Sequence, residues 1–428
     1  MLVALGSVFF VTRALGGPSP ALFQLDGNAV TDPSPAVGAD DWDKVFGGTS
    51  ASFSHVFIPY ATESPATDAT AWEPGTKATD DISQWGWQTN TSVINAKADI
   101  TNAYAAAYKD GTNTVMYFGL DRFDESGDAN VGFWFLQDPN FKLNADGTFS
   151  GQHIDGDVFI QSQFLNGGGV AVPVEYIWQG GALVQQSTAG AICTTSVQPL
   201  CAIDNDGVSG RPGTITVPWT YQDKDGNPAG TITPNGFFEG GFNLNSAFGN
   251  GDLPCFTHFI AQTGTSGASG NSETLKDLAA GDVQSCGTLQ LKKHWIGTAG
   301  TVDLNIGTTG TGAGAADITT QHVVGADGQT SEVERKVGTY YVSESLTNAG
   351  SYITTLACFN DVNHNGTQDQ YFDMVRAYAA YHKLDMPDAD LIADALEWSM
   401  TRGGRSGRVA WQYIQDLAGR LGKELRED

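Results

Sequence analysis

The sequence predicts an all-β protein that contains a large, jelly-roll-like β-sandwich, a second and smaller β unit, and a short α-helical tail. Three observations support this prediction. Short β-branched and aromatic runs recur between Gly, Asn, Asp and Pro turns from residue 23 to residue 286. Glycine is frequent, with 53 residues in a chain of 428. Apolar residues at the three- and four-residue spacing of a helix become regular only after residue 370.

The clearest strand signal is the stretch VMYFGLDRFDESGDANVGFWFLQ, residues 115–137. Two apolar and aromatic runs are joined there by a turn with four acidic residues, which predicts a β-hairpin. The second run, residues 131–136, is continuously apolar. A strand with one wet face would alternate, so we expect at least one of these strands to be buried on both faces.

Other segments predict further elements of the sandwich. Strands are expected at Asp157–Phe164, Val170–Trp178 and Gly236–Leu244, where β-branched and aromatic residues lie between turn residues. The alanine-rich stretch ADITNAYAAAY, residues 98–108, predicts a helical insert, and residues 275–280 predict one more helical turn.

The charge of the chain excludes some partners. Lys and Arg number 22 and Asp and Glu number 48, which gives a formal net charge of -26. Such a field repels nucleic acids and anionic lipid surfaces, so we expect neither as a partner. Residues 1–22 include an apolar stretch that is too short to span a bilayer, and no other segment is a candidate for a membrane span. This start is either the remnant of a secretory signal segment or an ordinary first strand.

The cysteines indicate the compartment. None of the five forms a close CxxC pair, which argues against a zinc site or a thioredoxin-like redox centre. We expect the disulfides Cys193–Cys201 and Cys255–Cys286, and inert buried thiols are the alternative. Disulfides would indicate an oxidising compartment, so the expected location is extracellular or on the cell surface. Cys358 is the odd thiol.

Much of residues 99–286 resembles a known family. The matching stretches are DITNAYAAAY, YFGLDRFDESGDANVGFWF, DGTFSGQHIDGDVFIQSQFLNGGG, FFEGGFNL, CFTHFIAQTGTSGAS and LKDLAAGDVQSC. They resemble a domain found in surface proteins of Gram-positive, especially actinobacterial, cells. The resemblance implies an exported, non-catalytic display domain, which we place at residues 23–286.

A second unit is predicted at residues 287–370. Leu289, Leu291 and Lys293 alternate on one strand face, and the stretches VGTYYVSES and YITTLACFND follow. These stretches resemble a prealbumin-like domain of the collagen-adhesin B type, a stalk unit of pilins and adhesins. Some members carry a Lys to Asn isopeptide bond assisted by a buried acid, and the resemblance places Lys293 and Glu344 at two of these positions. No Asn on a final strand is found, so a surface lysine and an edge-strand glutamate are the alternative.

The segment DVNHNGTQD, residues 361–369, has the spacing of a calcium loop. The candidate Ca²⁺ ligands are Asp361, Asn363, Asn365 and Asp369. The segment resembles the calcium loops of serine-aspartate repeat B-type modules. Phe372 stands where a bidentate Glu is expected, so weak binding and an ordinary turn are both open. No other cofactor is expected.

The last segment, residues 371–428, predicts a helical tail. Its run ALEWSMTRGGRSGRVAWQYIQDLAGRLG resembles the C-terminus of a bacterial P-loop ATPase family of unknown role. The chain has no GxxxxGK[ST] loop, so the resemblance does not carry ATP hydrolysis over. The closing strand, the isopeptide Asn and the partner of Cys358 are all missing near residue 370, which predicts that the prealbumin-like unit is cut short there.

These features predict an exported, adhesin-like or structural cell-surface protein without catalytic activity. Its expected partner is an extracellular glycan or a host or matrix protein. A GxSxG turn and an HExxH pair are both absent from the sequence, and the histidines fall singly.

Two alternatives involve carbohydrate. A carbohydrate-binding module would use Trp85 and Trp87, which we expect on alternate positions of one strand, as a stacking pair. A glycoside hydrolase would need two facing carboxylates beside a cleft. The candidates for that pair are Asp121, Asp128, Asp155, Asp157 and Glu239.

Overall fold

The computed structural model describes most of the predicted β region. The described residues are 18, 21–32, 39–59, 70–89, 92, 94–111, 113–165, 168–186, 190–194, 198–208, 210–248, 253–265, 273–295, 298–336 and 340–346. The predicted calcium loop, the helical tail, Cys358 and nearly all of the segment 1–22 lie outside them. None of the helices in the described ranges is long and apolar enough to cross a membrane.

Strands dominate the described residues, which confirms the all-β prediction. The two short α-helices are α1 (Trp42–Phe46) and α2 (Leu244–Phe248). The strands up to residue 282 are β1 (Ser54–Pro59), β2 (Ala71–Trp72), β3 (Trp87–Gln88), β4 (Ile100–Asp110), β5 (Asn113–Arg122), β6 (Ala129–Leu136), β7 (Lys142–Leu143), β8 (Phe149–Ser150), β9 (Val158–Phe164), β10 (Val174–Gln179), β11 (Ala182–Gln185), β12 (Gly190–Ile192), β13 (Leu200–Asp204), β14 (Ile215–Thr216), β15 (Thr231–Ile232), β16 (Phe237–Asn243), β17 (His258–Thr265) and β18 (Leu275–Asp282). The pairs β7-β8 and β14-β15 form separate two-stranded sheets.

Two large sheets form the sandwich in the part of the chain that is described. One has the six-strand order β1-β4-β5-β16-β13-β12, and the other has the eight-strand order β11-β10-β9-β6-β17-β18-β2-β3. Their facing sides share one apolar core. Aromatic rings from both sheets meet there, as in the pair Phe118 and Phe133 with centroids 4.6 Å apart and the pair Phe133 and Phe238 at 5.5 Å. The predicted sandwich is therefore confirmed.

The predicted hairpin is wrong, although both of its strands exist. β5 pairs with β4 and β16 in the six-stranded sheet, whereas β6 pairs with β9 and β17 in the eight-stranded sheet. The acidic turn therefore crosses from one sheet to the other. β6 is buried along its whole length, which confirms the prediction of a strand without a wet face. The error arose because sheet partners are chosen by contacts that are distant in the sequence.

The two helical expectations are also wrong, because residues 98–108 contribute to β4 and residues 275–280 lie in β18. β4 lies between β1 and β5, and its residues are buried from Ile100 to Tyr108. Ala103, Ala105 and Ala107 face the sandwich core, and Tyr104 and Tyr108 belong to a second aromatic cluster on the other face. The alanines leave room for the large rings of the opposite sheet, so the alanine content reflects close packing and not helix propensity.

Arg122 forms hydrogen bonds with several loops at one end of the sandwich. Its guanidinium is buried and lies 3.9 Å from the centroid of the Phe164 ring. Its nitrogens donate to four backbone oxygens, which belong to Asn235 (2.9 Å), Glu125 (2.9 Å), Gly127 (3.2 Å) and Lys97 (3.4 Å). Burial lowers the pKa of Arg122 to about 10, so the side chain stays charged at neutral pH.

Smaller sheets follow the sandwich. Their strands are β19 (Cys286–Leu289), β20 (Lys292–Lys293), β21 (Thr301–Gly307), β22 (Thr319–Val324), β23 (Gly328–Gln329), β24 (Val333–Lys336) and β25 (Tyr341–Leu346). Trp295, Val302, Leu304 and Val323 form a separate small core. The strand face predicted for residues 289–293 is divided between β19 and β20. The described residues up to Ser345 belong to one compact unit, and the boundary predicted at residues 286 and 287 stays a prediction.

The packing of Gly119 gives a test of the six-stranded sheet. A Cβ atom there would lie 2.4 Å from Cε2 of Tyr104 and 2.7 Å from the carbonyl oxygen of Phe238. We expect Gly119→Ala to lower the free energy of unfolding by roughly 1–3 kcal/mol, because the ring must shift. Gly287→Ala is the control, since no atom lies within 4 Å of its Cβ position. Denaturant unfolding measures both, and equal stability of the two variants would contradict this packing.

Candidate functional site

The predicted stacking pair of tryptophans, Trp85 and Trp87, does not form an exposed surface. Trp85 is 2% exposed and packs edge-on against Trp72 and Trp134, with ring centroids 5.2 and 5.5 Å apart. Trp87 is half-buried and donates from Nε1 to the carbonyl oxygen of Asn144 at 2.9 Å. Trp85 precedes β3 and does not share a strand with Trp87. The prediction of an exposed stacking pair is therefore wrong. The Trp85 ring is buried in an apolar cluster on the outer face of the eight-stranded sheet, and its burial stabilises that cluster.

His153 and Asp157 form a buried pair beside this apolar cluster. Nδ1 of His153 lies 3.0 Å from Oδ2 of Asp157, and the imidazole stacks on Trp178 with centroids 4.0 Å apart. The other oxygen of Asp157 accepts from the backbone and side-chain nitrogens of Gln137. Asp157 is fully buried, so these contacts fix a turn and leave no carboxylate oxygen for a substrate.

Glu239 lies on the outer face of the six-stranded sheet, beneath the N-terminal segment. Its Oε1 accepts from the backbone nitrogens of Asp26 (2.8 Å) and Gly27 (2.7 Å), and its Oε2 accepts from Nε1 of Trp42 (2.9 Å). Asp41 is buried nearby and caps α1. Burial, together with the charge of neighbouring carboxylates, raises the pKa of both Glu239 and Asp41 well above the usual range. This carboxylate ties the N-terminal segment to β16.

Asp121 is enclosed on the same face. It accepts from Nδ2 of Asn102 at 2.9 Å and from Nε1 of Trp219 at 3.0 Å, and burial raises its pKa to about 7. The remaining candidates of the predicted hydrolase pair are the half-buried Asp128 and the exposed Asp155, which accepts from the backbone nitrogen of Gly180. Asp121, Asp157 and Glu239 are each 0% exposed. A glycosidase carboxylate must reach the sugar, so the enclosed positions of these three favour structural roles.

A polar cluster around Glu273 was missed by sequence reasoning. Oε2 of Glu273 accepts from Nδ2 of Asn130 at 2.8 Å and from Nε2 of Gln161. Gln262 lies beside it, and Tyr176 is close enough for the Glu273 carboxylate to raise the pKa of the phenol, after burial. These residues come from β6, β9, β17, β10 and the segment before β18. Because they are far apart in the sequence, no local motif marks the cluster.

Lys293 and Glu344 lie together, as their resemblance to an isopeptide site implies. Nζ of Lys293 is 2.9 Å from Oε2 of Glu344, and the two side chains are 15% and 17% exposed. The same amine lies 4.5 Å from the centroid of the Trp295 ring. The arrangement is an ion pair with a cation–π contact, and a role in isopeptide chemistry stays a prediction.

The four cysteines predicted to form disulfides are paired as expected. Cys193 and Cys201 lie at bonding distance with Cα atoms 4.9 Å apart, and Cys255 and Cys286 do so with Cα atoms 5.2 Å apart. The calcium ligands Asp361, Asn363, Asn365 and Asp369 fall outside the described residues. Within the described ranges, no group of three or more His, Cys, Asp or Glu is placed to hold a metal ion.

The fold and these clusters define an all-β sandwich protein with disulfide-linked loops and enclosed carboxylates. A family model described as a protein of unknown function (DUF815) matches residues 361–421, which agrees with the resemblance of the tail to an uncharacterised family. The match begins upstream of the boundary predicted at residue 371 and includes the candidate calcium loop. No curated protein and no solved structure matches the chain.

The enclosed acids predict that the protein is more stable at about pH 5 than at about pH 8. Burial raises the pKa of Asp26 to about 6 and that of Asp121 to about 7. The stabilising contribution of such a group is complete below its unfolded pKa of about 4 and is lost as the pH rises through the folded value. Denaturant unfolding over this pH range should therefore show stability falling with pH, and the opposite slope would contradict the burial of these acids.

Asp121→Asn isolates one of these groups. The variant cannot ionise, so we expect the difference in unfolding free energy across the range to shrink by on the order of 3 kcal/mol. Asp225→Asn is the matched control, because Asp225 is exposed and its replacement should leave the pH dependence unchanged. An unchanged slope in Asp121→Asn would show that Asp121 is already ionised in the folded protein.

The Lys293 and Glu344 pair predicts a modest coupling energy. In a double-mutant cycle with Lys293→Met and Glu344→Gln, we expect a coupling of roughly 0.5–1 kcal/mol that weakens in high salt. The pair is partly screened by solvent, so a larger value is not expected. A coupling of zero at low salt would contradict the contact.

Proposed function

We propose that this chain is an exported cell-surface protein, adhesin-like or structural, that displays its β-sandwich without catalysing a reaction. The observation that carries the proposal is the pairing of Cys193 with Cys201 and of Cys255 with Cys286 at bonding distance. Disulfides form and persist in oxidising surroundings and are rare in the reducing cytosol. A disulfide stabilises a fold mainly by restricting the unfolded chain, and these two bridges close loops with sequence separations of 8 and 31 residues.

The placement of the candidate catalytic acids supports a role without catalysis. Asp121, Asp157 and Glu239 have no exposed surface, and each accepts several hydrogen bonds from its own fold. These bonds hold loops and the N-terminal segment on the two sheets. Catalysis by any of them would require the cover of the sheet to open.

The charge of the chain supports the proposed surroundings. A formal net charge of -26 keeps a displayed protein soluble and repels nucleic acids. The proposed partners are an extracellular glycan or a host or matrix protein. The Lys293 and Glu344 ion pair fits the proposed prealbumin-like stalk, and Ca²⁺ at Asp361–Asp369 is part of the same proposal.

Carbohydrate binding is a second candidate function. The cluster around Glu273 offers the polar groups for it, because a carboxylate and three amide side chains converge there on the outer face of the eight-stranded sheet. Glu273 and Gln262 are buried, so binding by this cluster would require its cover to open. The tryptophan pair that first suggested this function does not support it. A glycoside hydrolase is the less favoured alternative.

Cell fractionation and thiol counting test the main proposal. In the native host we expect the protein in the surface or secreted fraction, with four of its five cysteines protected from alkylation until a reductant is added. The free thiol should be Cys358. Recovery from the cytosol with all five cysteines alkylated before reduction would overturn the proposal.

A serine variant at one end of one bridge is the control for the thiol count. Cys193→Ser should expose Cys201 to alkylation and leave Cys255 and Cys286 protected, because the two bridges share no cysteine. Scrambled protection in this variant would contradict the pairing.

A further inference from the structure

A groove of about 350 Å³ lies where the loop before β9, the end of β10 and helix α2 meet. β10 belongs to the eight-stranded sheet, whereas α2 directly follows β16 of the six-stranded sheet, so the groove has a wall from each sheet. Two of its lining residues, Asp155 and Gln179, are exposed, and solvent therefore reaches it. Ligand pockets have volumes of roughly 300–1,000 Å³, so this groove suits one side chain or one small molecule.

The inner part of the groove is mainly apolar. Ile177 is buried, and Ala247 and Phe248 of α2 are half-buried and pack on the sandwich core. Gly156 lies beside this helix, since a Cβ atom there would be 3.8 Å from Cε1 of Phe248. Trp178 also lines the groove, and its carbonyl oxygen accepts from the backbone nitrogen of Gly156 at 2.9 Å. A ligand that enters the groove therefore meets aliphatic groups and an aromatic ring.

The mouth of the groove is polar and carries one negative charge. Oδ1 of Asp155 accepts from the backbone nitrogen of Gly180 at 2.9 Å, which holds the carboxylate at the turn after β10, and Oδ2 makes no hydrogen bond with the described residues. Nε2 of Gln186 donates to the carbonyl oxygen of Val184 at 2.8 Å, so its Oε1 stays available as an acceptor. No Lys, Arg or His is among the described residues that line the groove. The mouth therefore offers acceptors to a positively charged donor.

An apolar interior with a carboxylate at its mouth selects a ligand that has an aliphatic stem and a cationic tip. A lysine side chain has this form, because four methylene groups carry its ammonium. A purely apolar ligand would desolvate Asp155 without a compensating bond, and a sugar would turn hydroxyls toward the apolar wall. Arginine fits less well, because its guanidinium favours a bidentate carboxylate and Oδ1 of Asp155 already has a donor. The chemistry of the groove thus favours an ammonium group.

We propose that this groove binds a lysine side chain of a partner protein. The ammonium group binds Asp155 and Gln186 at the mouth. The aliphatic stem packs on Ile177, Ala247 and Phe248. The formal net charge of -26 attracts a basic segment over a longer range and raises its rate of encounter. This inference rests on the proposed function of an exported display protein, and it names the partner as a lysine-bearing protein segment.

Ligand-observed NMR titration of the full chain tests the site. The probe is a peptide with one central lysine between glycines and with both ends capped, so that the lysine carries the only charge. We expect a Kd on the order of 1 mM at about 20 mM salt, and weaker binding at about 200 mM salt. The same peptide with an acetylated lysine is the matched control, because it keeps the stem and loses the charge. We expect the acetylated peptide to bind at least about threefold more weakly.

Two variants place the binding in the groove. Asp155→Asn removes the charge and keeps an acceptor for Gly180, so we expect an intact fold and affinity at least about threefold lower. Asp225→Asn is its control, because it makes the same change of net charge at an exposed aspartate outside the groove and should leave the affinity unchanged. Ala247→Leu fills the space beside Phe248 and should abolish binding. Because the first variant alters only an exposed side chain, the test stands even if Ala247→Leu fails to fold.

Three results would overturn the site. They are no binding of the lysine peptide by the wild type, equal binding of the acetylated peptide, and equal loss of affinity in Asp155→Asn and Asp225→Asn, which would assign the attraction to net charge alone. Each of them leaves the fractionation and thiol tests unaffected. An exported, disulfide-bonded protein that binds no lysine peptide would thus refute the site alone, whereas a reduced cytosolic protein would refute the proposed function.

Discussion

Burial of the six-stranded sheet on both faces is the constraint on which the other features depend. One face packs on the eight-stranded sheet through a row of alanines in β4, and the other carries Tyr104, Tyr108 and Tyr117. An irregular N-terminal segment and the short β14 and β15 strands cover those rings. Irregular chain brings backbone nitrogens that have no ladder partner, and in a dry interior each of them needs an acceptor. Glu239 supplies that acceptor for two of them.

The enclosed acids follow from this arrangement. A carboxylate can accept from several donors at once, so one side chain such as Glu239 or Asp121 satisfies donors from separate segments. The cost is desolvation, which appears as the raised pKa of each acid. Arg122 has the complementary role, because its guanidinium donates hydrogen bonds to four carbonyl oxygens at the end of the sandwich. Ionisable side chains thus stand in for the regular hydrogen bonds that a loop lacks.

The sequence was informative where local pattern decides the structure. The strands expected at residues 157–164 and 236–244 agree closely with β9 and β16, because β-branched and aromatic runs there are bounded by turn residues. The pairing of β5 and β6 could not be predicted, since their partners are set by β16 and β9, far along the chain. The alanines of β4 misled for a related reason: close packing between sheets favours small side chains that also favour helices.

The features of the candidate site also divide into those that local sequence predicts and those that depend on distant contacts. The two cysteine pairs could be proposed from the sequence, because each joins two cysteines that follow one another along the chain. The exposure of Trp85 could not, since a tryptophan in a strand-rich region suits a buried cover and an open platform equally well. The Glu273 cluster was invisible because its members are brought together only by the register of β6, β9 and β17. Lys293 and Glu344 were found by resemblance, and the structure places them in contact.

The bridge between Cys255 and Cys286 also determines how the sandwich responds to tension. β17 and β18 both lie between these two cysteines, so a pull along the chain from either side passes through the sulfur atoms and bypasses both strands. The roughly 100 Å of extended chain that the enclosed segment could release is held back while the bridge is intact. A reducing environment would free that length, and the force would then act directly on β18 and on the face of the sheet that carries Glu273.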